Sequence, residues 1–126
     1  MIQVKRVYDP PSSADGKRFL VDRLWPRGLS KVSLKLEAWL KCVAPSNELR
    51  RWYSHDPAKW DEFRRRYFVY LDENPASWAP LLDAARKGRV TLLFGSREMN
   101  LNNATALKEY LDSKLKKKTK SAVARK

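Results

Sequence analysis

The sequence is poor in the residues from which several common catalytic sites are built. It has one cysteine, Cys42, and one histidine, His55, so it can form neither an internal disulfide nor a cysteine-rich zinc site. It also lacks a Walker phosphate loop, a Gly-x-Gly-x-x-Gly fingerprint and a His-Glu-x-x-His zinc motif. These absences argue against P-loop nucleotide hydrolysis and zinc hydrolysis, and neither a cofactor nor a metal is expected.

Long apolar runs are missing as well. No apolar stretch approaches the roughly 20 residues that a membrane-spanning helix needs. The first residues, MIQVKRVYD, do not have the charged-then-apolar layout of a signal peptide. Together with the single cysteine, these features predict a cytoplasmic protein that does not associate with membranes.

Positive charge is abundant. The 27 lysines and arginines outnumber the 14 acidic residues, which gives a formal net charge of +13. Seven of the basic residues and none of the acidic ones fall in residues 113–126. A lysine-rich run without aromatics predicts a disordered tail after one folded domain, residues 1–112. Such a tail either contacts nucleic acid phosphates or serves only to keep the protein soluble.

The apolar pattern alternates between strands and helices. Strands are predicted at residues 2–8, 18–21 and 90–94, and the last of these has the unbroken apolar character of a strand buried on both faces. Helices are predicted over residues 36–43 and 77–87, and two more are predicted to begin after the cap Ser46 and after Asp56-Pro57. A last helix is predicted near the end of the domain, with Ala104, Leu107, Tyr110 and Leu111 on its apolar side. This order favours an α/β fold: a single compact domain with a small, mainly parallel sheet flanked by helices.

The stretch DRLWPRG, residues 22–28, places charge directly after a predicted buried strand. In open α/β sheets, ligands bind in the crevice beyond the carboxyl ends of the strands. Arg23 follows the second strand and Arg97 follows the last one, so parallel strands would bring both arginines to one crevice. Arginine suits this position because its planar guanidinium can donate two hydrogen bonds to a carboxylate or phosphate.

The sequence therefore predicts a crevice for a small anionic ligand, which is a phosphorylated molecule, a nucleotide or a carboxylate. The candidate ligand-binding residues are Arg23, Arg27, Lys31, Arg50, Arg97 and Asn103. If the site is catalytic, Asp22 and His55 are the candidate proton carriers. A structural alternative stays open, in which the charged residues pair with one another and His55 caps or packs at a helix junction.

A second interpretation belongs to a different functional class. The basic and aromatic segments RRWY and FRRRY, together with the tail, would contact phosphates in a nucleic-acid-binding accessory protein. A partner-binding subunit without chemistry of its own is the third. The sequence decides neither between these interpretations nor on the oligomeric state.

Five segments carry a family resemblance: VDRLWPRGLSK, APSNELRRW, HDPAKWDEFRRRY, TLLFGSRE and NNA. Together they resemble the YeaO-like proteins of the domain of unknown function 488 family, over residues 2–111. The resemblance implies an α/β domain and assigns no settled activity. Two positions depart from the family pattern: Cys42 stands where an acidic residue is frequent, and Glu98 is one methylene longer than the aspartate that often follows the retained Arg97.

Overall fold

A computed structural model describes the backbone of residues 1–124 and the side chains of residues 1–116. Its four strands are β1 (Ile2–Arg6), β2 (Lys17–Leu20), β3 (Ala38–Trp39) and β4 (Val90–Phe94). They form one sheet in the order β1-β4-β2-β3, and every neighbouring pair is parallel. Strand β4 is paired on both sides and all five of its residues are buried. The predicted α/β fold with a parallel sheet is confirmed.

Within residues 1–124, five α-helices accompany the sheet: α1 (Lys31–Leu34), α2 (Asn47–Tyr53), α3 (Trp60–Glu73), α4 (Pro75–Lys87) and α5 (Asn103–Ala124). The predicted start signals are confirmed by their hydrogen bonds. The Ser46 hydroxyl accepts from the backbone N–H of Leu49 at 3.1 Å, and the Asp56 carboxylate accepts from the N–H of Ala58 at 3.0 Å. These bonds satisfy backbone donors that have no partner within the first turn.

The two faces of the sheet are covered differently, because strand residues alternate between them. One face packs against the helices in the main core, which includes Phe19, Val21, Leu92 and Phe94 from the strands and Phe63, Tyr67, Leu81 and Leu107 from the helices. The other face carries a smaller cluster of Val7, Leu20, Leu34 and Leu93, with Trp25 and Trp39 packed against it. Short α1 and its neighbouring loops cover this second face.

A buried ion cluster lies on the second face. Asp15 is 2% exposed and Arg18 is 4% exposed, and the Arg18 guanidinium donates to the Asp15 carboxylate at 2.5 Å. The Lys5 ammonium lies 3.1 Å from the same carboxylate, and the N–H of Ser12 donates to it at 3.0 Å. Burial by itself would raise the pKa of Asp15, but the Ser12 hydrogen bond and the Lys5 and Arg18 cations hold it below its ordinary value. We call Lys5, Asp15 and Arg18 the Asp15 cluster.

Gly16 enters β2 in a conformation that only glycine tolerates. Its φ is +64°, and a Cβ atom there would lie 2.2 Å from the carbonyl oxygen of Arg89. The same carbonyl accepts the N–H of Lys17 at 3.1 Å. The close approach of the two chain segments therefore aligns the beginnings of β2 and β4.

The predicted helix over residues 36–43 is wrong. Residues Ala38–Trp39 form β3 beside β2, and a single 3-10 turn follows at Lys41–Val43. The carbonyls of Arg18 and Leu20 accept the N–H groups of Glu37 and Leu40, at 2.7 and 2.9 Å. The free edge of β2 thus supplies hydrogen bonds that override the helical spacing of the apolar residues.

The basic segment that begins at residue 113 continues α5, which extends through Ala124. Leu115 packs against the main core, so the helix does not end at the predicted domain boundary of residue 112. The last two residues of the predicted tail, 125 and 126, lie outside the described residues. Across residues 1–124, none of the helices combines the length and the apolar character that crossing a membrane requires.

Candidate functional site

A cleft of about 780 Å³ lies at the carboxyl ends of β2 and β4. Its walls come from the segments after β1, β2 and β4, from α2, and from the beginning of α5. The lining side chains that bear on function are Tyr8, Asp22, Arg23, Trp25, Asn47, Arg50, Arg51, Tyr53, His55, Asn102 and Asn103. The crevice predicted beyond the strand ends is therefore present in the fold.

Asp22 holds three elements together at the base of the cleft. Its carboxylate accepts the N–H of Gly95 at 2.7 Å and the side-chain amide of Asn103 at 3.1 Å. A Cβ atom on residue 95 would lie only 3.2 Å from that carboxylate, so glycine permits the close approach. Burial raises the pKa of Asp22, and these two hydrogen bonds and the charge of Arg50 only partly oppose it. Asp22 thereby fastens the ends of β2 and β4 to the start of α5.

Arg23 is half-buried and is attached to the backbone before α2. Its guanidinium donates to the carbonyls of Ala44 at 2.9 Å and Pro45 at 3.2 Å. Carbonyl oxygens orient the guanidinium without cancelling its full charge. The structural alternative, in which Asp22 pairs with Arg23 and Arg27, is not observed among the described residues.

Two further arginines, Arg50 and Arg51, extend from α2 into the cleft lining. Both are exposed, and Arg50 donates to the side-chain oxygen of Asn47 at 3.0 Å. Within residues 1–116, none of the three lining arginines has a carboxylate within 4.0 Å. Among the described residues, the cleft lining thus contains three arginines that form no ion pair within 4.0 Å and one carboxylate, and that carboxylate is already hydrogen-bonded.

The beginning of α5 adds partial positive charge to the same cleft. Asn102, which is 2% exposed, caps the helix by accepting the N–H of Thr105 at 2.9 Å. Glu98 folds the preceding loop, since its carboxylate accepts the N–H groups of Leu101 at 2.9 Å and Asn100 at 2.7 Å. These two bonds lower the pKa of Glu98. The helix dipole of α5 therefore favours negative charge at this wall.

His55 lines the cleft from the turn after α2. The turn has two consecutive non-glycine residues with positive φ, +46° at Ser54 and +56° at His55. The imidazole is exposed and its ring lies 6.0 Å from that of Tyr53. No hydrogen bond from the described residues orients the imidazole, and Asp56 rather than His55 caps the 3-10 turn that follows. This geometry lacks the positioned partner that a general base normally has.

The structure brings together five of the residues predicted for the site and separates three others from it. Asp22, Arg23, Arg50, His55 and Asn103 line the cleft, whereas Arg27, Lys31 and Arg97 are exposed and lie outside its lining. Arg97 belongs to the loop that Glu98 folds.

Sequence reasoning missed several lining residues, of which Arg51, Tyr8 and Asn102 are the most informative. The repeated arginine of RRWY was the available signal for Arg51, and the position just after β1 was the signal for Tyr8. Among the described residues, no three His, Cys, Asp or Glu side chains are grouped so as to hold a metal ion.

Comparison with known proteins identifies the family. A family model described as "Inactive DUF488-N3 subclade" matches residues 1–125. The chain is 41% identical to the uncharacterized protein YeaO of Escherichia coli K12, over 89% of this chain and 97% of YeaO. It is 38% identical to the uncharacterized proteins Rv3073c of Mycobacterium tuberculosis H37Rv and Mb3100c of Mycobacterium bovis, over 90% of this chain and 95% of each relative. No solved structure matches the chain significantly. The predicted membership is confirmed: the chain belongs to the YeaO-like proteins of the domain of unknown function 488 family.

Proposed function

We propose that this protein binds a small anionic ligand, bearing a phosphate or carboxylate group, in the cleft at the carboxyl ends of β2 and β4. The observation that carries the proposal is the charge balance of the lining. Arg23, Arg50 and Arg51 lie around one cleft without an ion-pair partner among the described residues. Uncompensated arginines that share a concave site favour an anion, because guanidinium groups bind oxyanions through charge-assisted hydrogen bonds.

The geometry supports binding more than catalysis. Both Asp22 oxygens accept hydrogen bonds from the protein, and the imidazole of His55 has no hydrogen-bonded partner among the described residues. The matching family model is described as an inactive subclade. A site with fixed cations and no oriented proton carrier holds a ligand and stabilises its charge. We therefore propose a binding protein, with Asp22 as a structural fastener.

The nucleic-acid alternative has weaker support on the folded domain. In FRRRY, Arg64 pairs with Asp61 and Glu109, while Arg65 and Arg66 both pair with Glu62. Paired guanidinium groups contribute less to phosphate binding than free ones. This alternative then depends on the basic end of the chain and on Arg50 and Arg51 of RRWY, which lie in the cleft lining. Deleting residues 117–126 and measuring DNA and RNA binding at several salt concentrations tests the contribution of the basic end.

The anion site is tested by titrating the full chain with ribose 5-phosphate, inorganic phosphate and citrate, using thermal shift and calorimetry. At least one of these anions is expected to raise the Tm of the wild-type protein with increasing concentration. The double variant Arg50→Gln, Arg51→Gln is expected to bind it at least tenfold more weakly, because charge-assisted hydrogen bonds contribute about 1.5–3 kcal/mol each.

The matched control is Arg97→Gln, which removes one exposed arginine outside the cleft lining. It is expected to bind the anion as the wild type does. Equal binding by the double variant would show that the anion binds elsewhere, and loss of binding in Arg97→Gln would favour the site predicted from sequence alone.

A further inference from the structure

Tyrosine, tryptophan and phenylalanine side chains line the same cleft as the three arginines: Tyr53 and Phe63 are buried, whereas Tyr8 and Trp25 are not. Tyr8 follows β1 and remains 43% exposed, although most of the surface of a tyrosine side chain is usually buried in a folded protein. Trp25 follows β2 and is half-buried. One cleft therefore combines a cationic part with an aromatic part.

The polar atoms of Tyr8 and Trp25 are already engaged within the protein. The Tyr8 hydroxyl donates to the carbonyl of Arg27 at 3.1 Å, and the Trp25 indole N–H donates to the carbonyl of Leu29 at 2.7 Å. Neither group has a hydrogen to donate to a ligand. What these residues offer to the cleft is ring surface, which suits stacking and van der Waals contact.

The two rings are also held in position. Trp25 packs edge-on against Trp39, with ring centroids 5.2 Å apart, and the Arg6 guanidinium lies 5.0 Å from the centre of the Tyr8 ring. The bond from Tyr8 to the Arg27 carbonyl connects the segment after β1 with the segment after β2. A preorganised aromatic surface loses little conformational entropy when a ligand packs against it.

The size of the cleft indicates a ligand larger than a simple anion. Inorganic phosphate would occupy a small part of about 780 Å³, a volume within the range of pockets that enclose whole small molecules.

We propose that the ligand is a nucleoside monophosphate, whose base packs against Tyr8 and Trp25 while its phosphate contacts Arg23, Arg50 and Arg51. This inference rests on the proposed anion site and names the chemical class of its ligand. The phosphate accounts for the cationic part of the lining, and the flat base accounts for the exposed aromatic part.

The test compares AMP with ribose 5-phosphate, since the two share the sugar phosphate and differ by the base. Calorimetry on the full chain at fixed ionic strength is expected to show AMP binding about tenfold more tightly or better, which is the scale of base–aromatic stacking. In Tyr8→Leu, the affinity for AMP is expected to fall several-fold while that for ribose 5-phosphate is unchanged.

The matched control is Tyr70→Leu. The Tyr70 hydroxyl also donates to a backbone carbonyl, that of Cys42 at 2.6 Å, but the residue lies outside the cleft lining. Its AMP affinity is expected to match the wild type. The wild-type ratio of AMP to ribose 5-phosphate needs no variant, so it decides the question even if Tyr8→Leu fails to fold.

The outcomes separate the two proposals. Equal affinities for AMP and ribose 5-phosphate, or an equal loss of both in Tyr8→Leu, would overturn the nucleotide inference and leave the anion site standing. Absence of binding by AMP, ribose 5-phosphate, inorganic phosphate and citrate would overturn the anion site and the nucleotide inference together.

Discussion

The Asp15 cluster and the cleft are built from the same residue types, aspartate and basic side chains, but they differ in how charge is compensated. In the Asp15 cluster, one buried carboxylate faces Lys5 at 3.1 Å and Arg18 at 2.5 Å. In the cleft, the Asp22 carboxylate accepts hydrogen bonds from neutral groups, and the arginines have no carboxylate within 4.0 Å among the described residues.

The pKa shifts of the two aspartates follow this difference. Burial acts to raise the pKa in both. At Asp15 the hydrogen bond from Ser12 and the adjacent Lys5 and Arg18 cations together reverse that effect and lower the pKa, whereas at Asp22 the pKa stays raised. The comparison teaches that charge paired within the fold supports stability, whereas arginines without an ion-pair partner on a concave surface are available to a ligand, which accords with the stability commonly given up at functional sites.

The largest expected effect is on stability and comes from the Asp15 cluster. Asp15→Ala removes the buried carboxylate that Lys5 and Arg18 share. Because the buried Arg18 then lacks its ion-pair partner, the free energy of unfolding should fall by about 3 kcal/mol. Urea denaturation measures the change. Asp83→Ala removes an exposed carboxylate that pairs with Arg86 at 3.5 Å, and it should cost no more than about 0.5 kcal/mol. Similar losses in both variants would contradict a structural role specific to the cluster.

An intermediate effect is expected from pH. The lowered pKa of Asp15 means that its stabilisation is present above the unfolded-state value of 3.8 and is lost as the pH falls through the folded-state pKa. The stability difference between the wild type and Asp15→Asn should therefore shrink below about pH 4.

The raised pKa of Asp22 makes stability depend on pH in the opposite direction. The contribution of Asp22 to the free energy of unfolding decreases as the pH rises from 3.8 through its folded-state pKa. The difference between the wild type and Asp22→Asn should grow on acidification. Denaturation curves of the wild type and both variants at pH 6 and pH 3 test these two directions. If the difference from the wild type changed in the same direction for Asp15→Asn and Asp22→Asn, the contrast between the two aspartates would be refuted.

The smallest effect on stability is expected at the cleft arginines. Arg51→Gln removes an exposed guanidinium for which no ion pair is found among the described residues, so the ligand-free protein should change by no more than about 0.5 kcal/mol. Arg18→Gln is the buried counterpart and should be clearly destabilising. Thermal and urea unfolding without ligand measure the change in the free energy of unfolding for both variants. A loss above about 1 kcal/mol in Arg51→Gln would assign that arginine to the fold rather than to the site.

The sheet and most helix boundaries follow from local sequence signals. Val90–Phe94 has the unbroken apolar composition of a central strand, and Ser46 and Asp56 are capping residues whose hydrogen bonds are local. Strand β3 could not be predicted in this way. Its two residues, Ala38 and Trp39, pair with β2 through hydrogen bonds that only the folded chain brings together.

The site was predictable to the extent that it follows strand ends. Asp22 and Arg23 lie at the cleft because parallel strands present their carboxyl ends at one edge of the sheet. Arg97 was misplaced because the same argument ignores the loop, in which Glu98 accepts two backbone N–H groups and redirects the chain before α5. The Asp15 cluster was not foreseen, since Lys5 approaches the local pair of Asp15 and Arg18 only when β1 and β2 both pair with β4.

Gly16 sets a limit on how this sequence can diverge. Every other amino acid has a Cβ atom, which would lie 2.2 Å from the Arg89 carbonyl oxygen at a backbone angle that such residues rarely adopt. A single substitution at position 16 is therefore expected to be incompatible with the present backbone, whatever the chemistry of the new side chain. Relatives that lack glycine here would have to separate the beginnings of β2 and β4, so position 16 records the geometry of the sheet rather than the identity of the ligand.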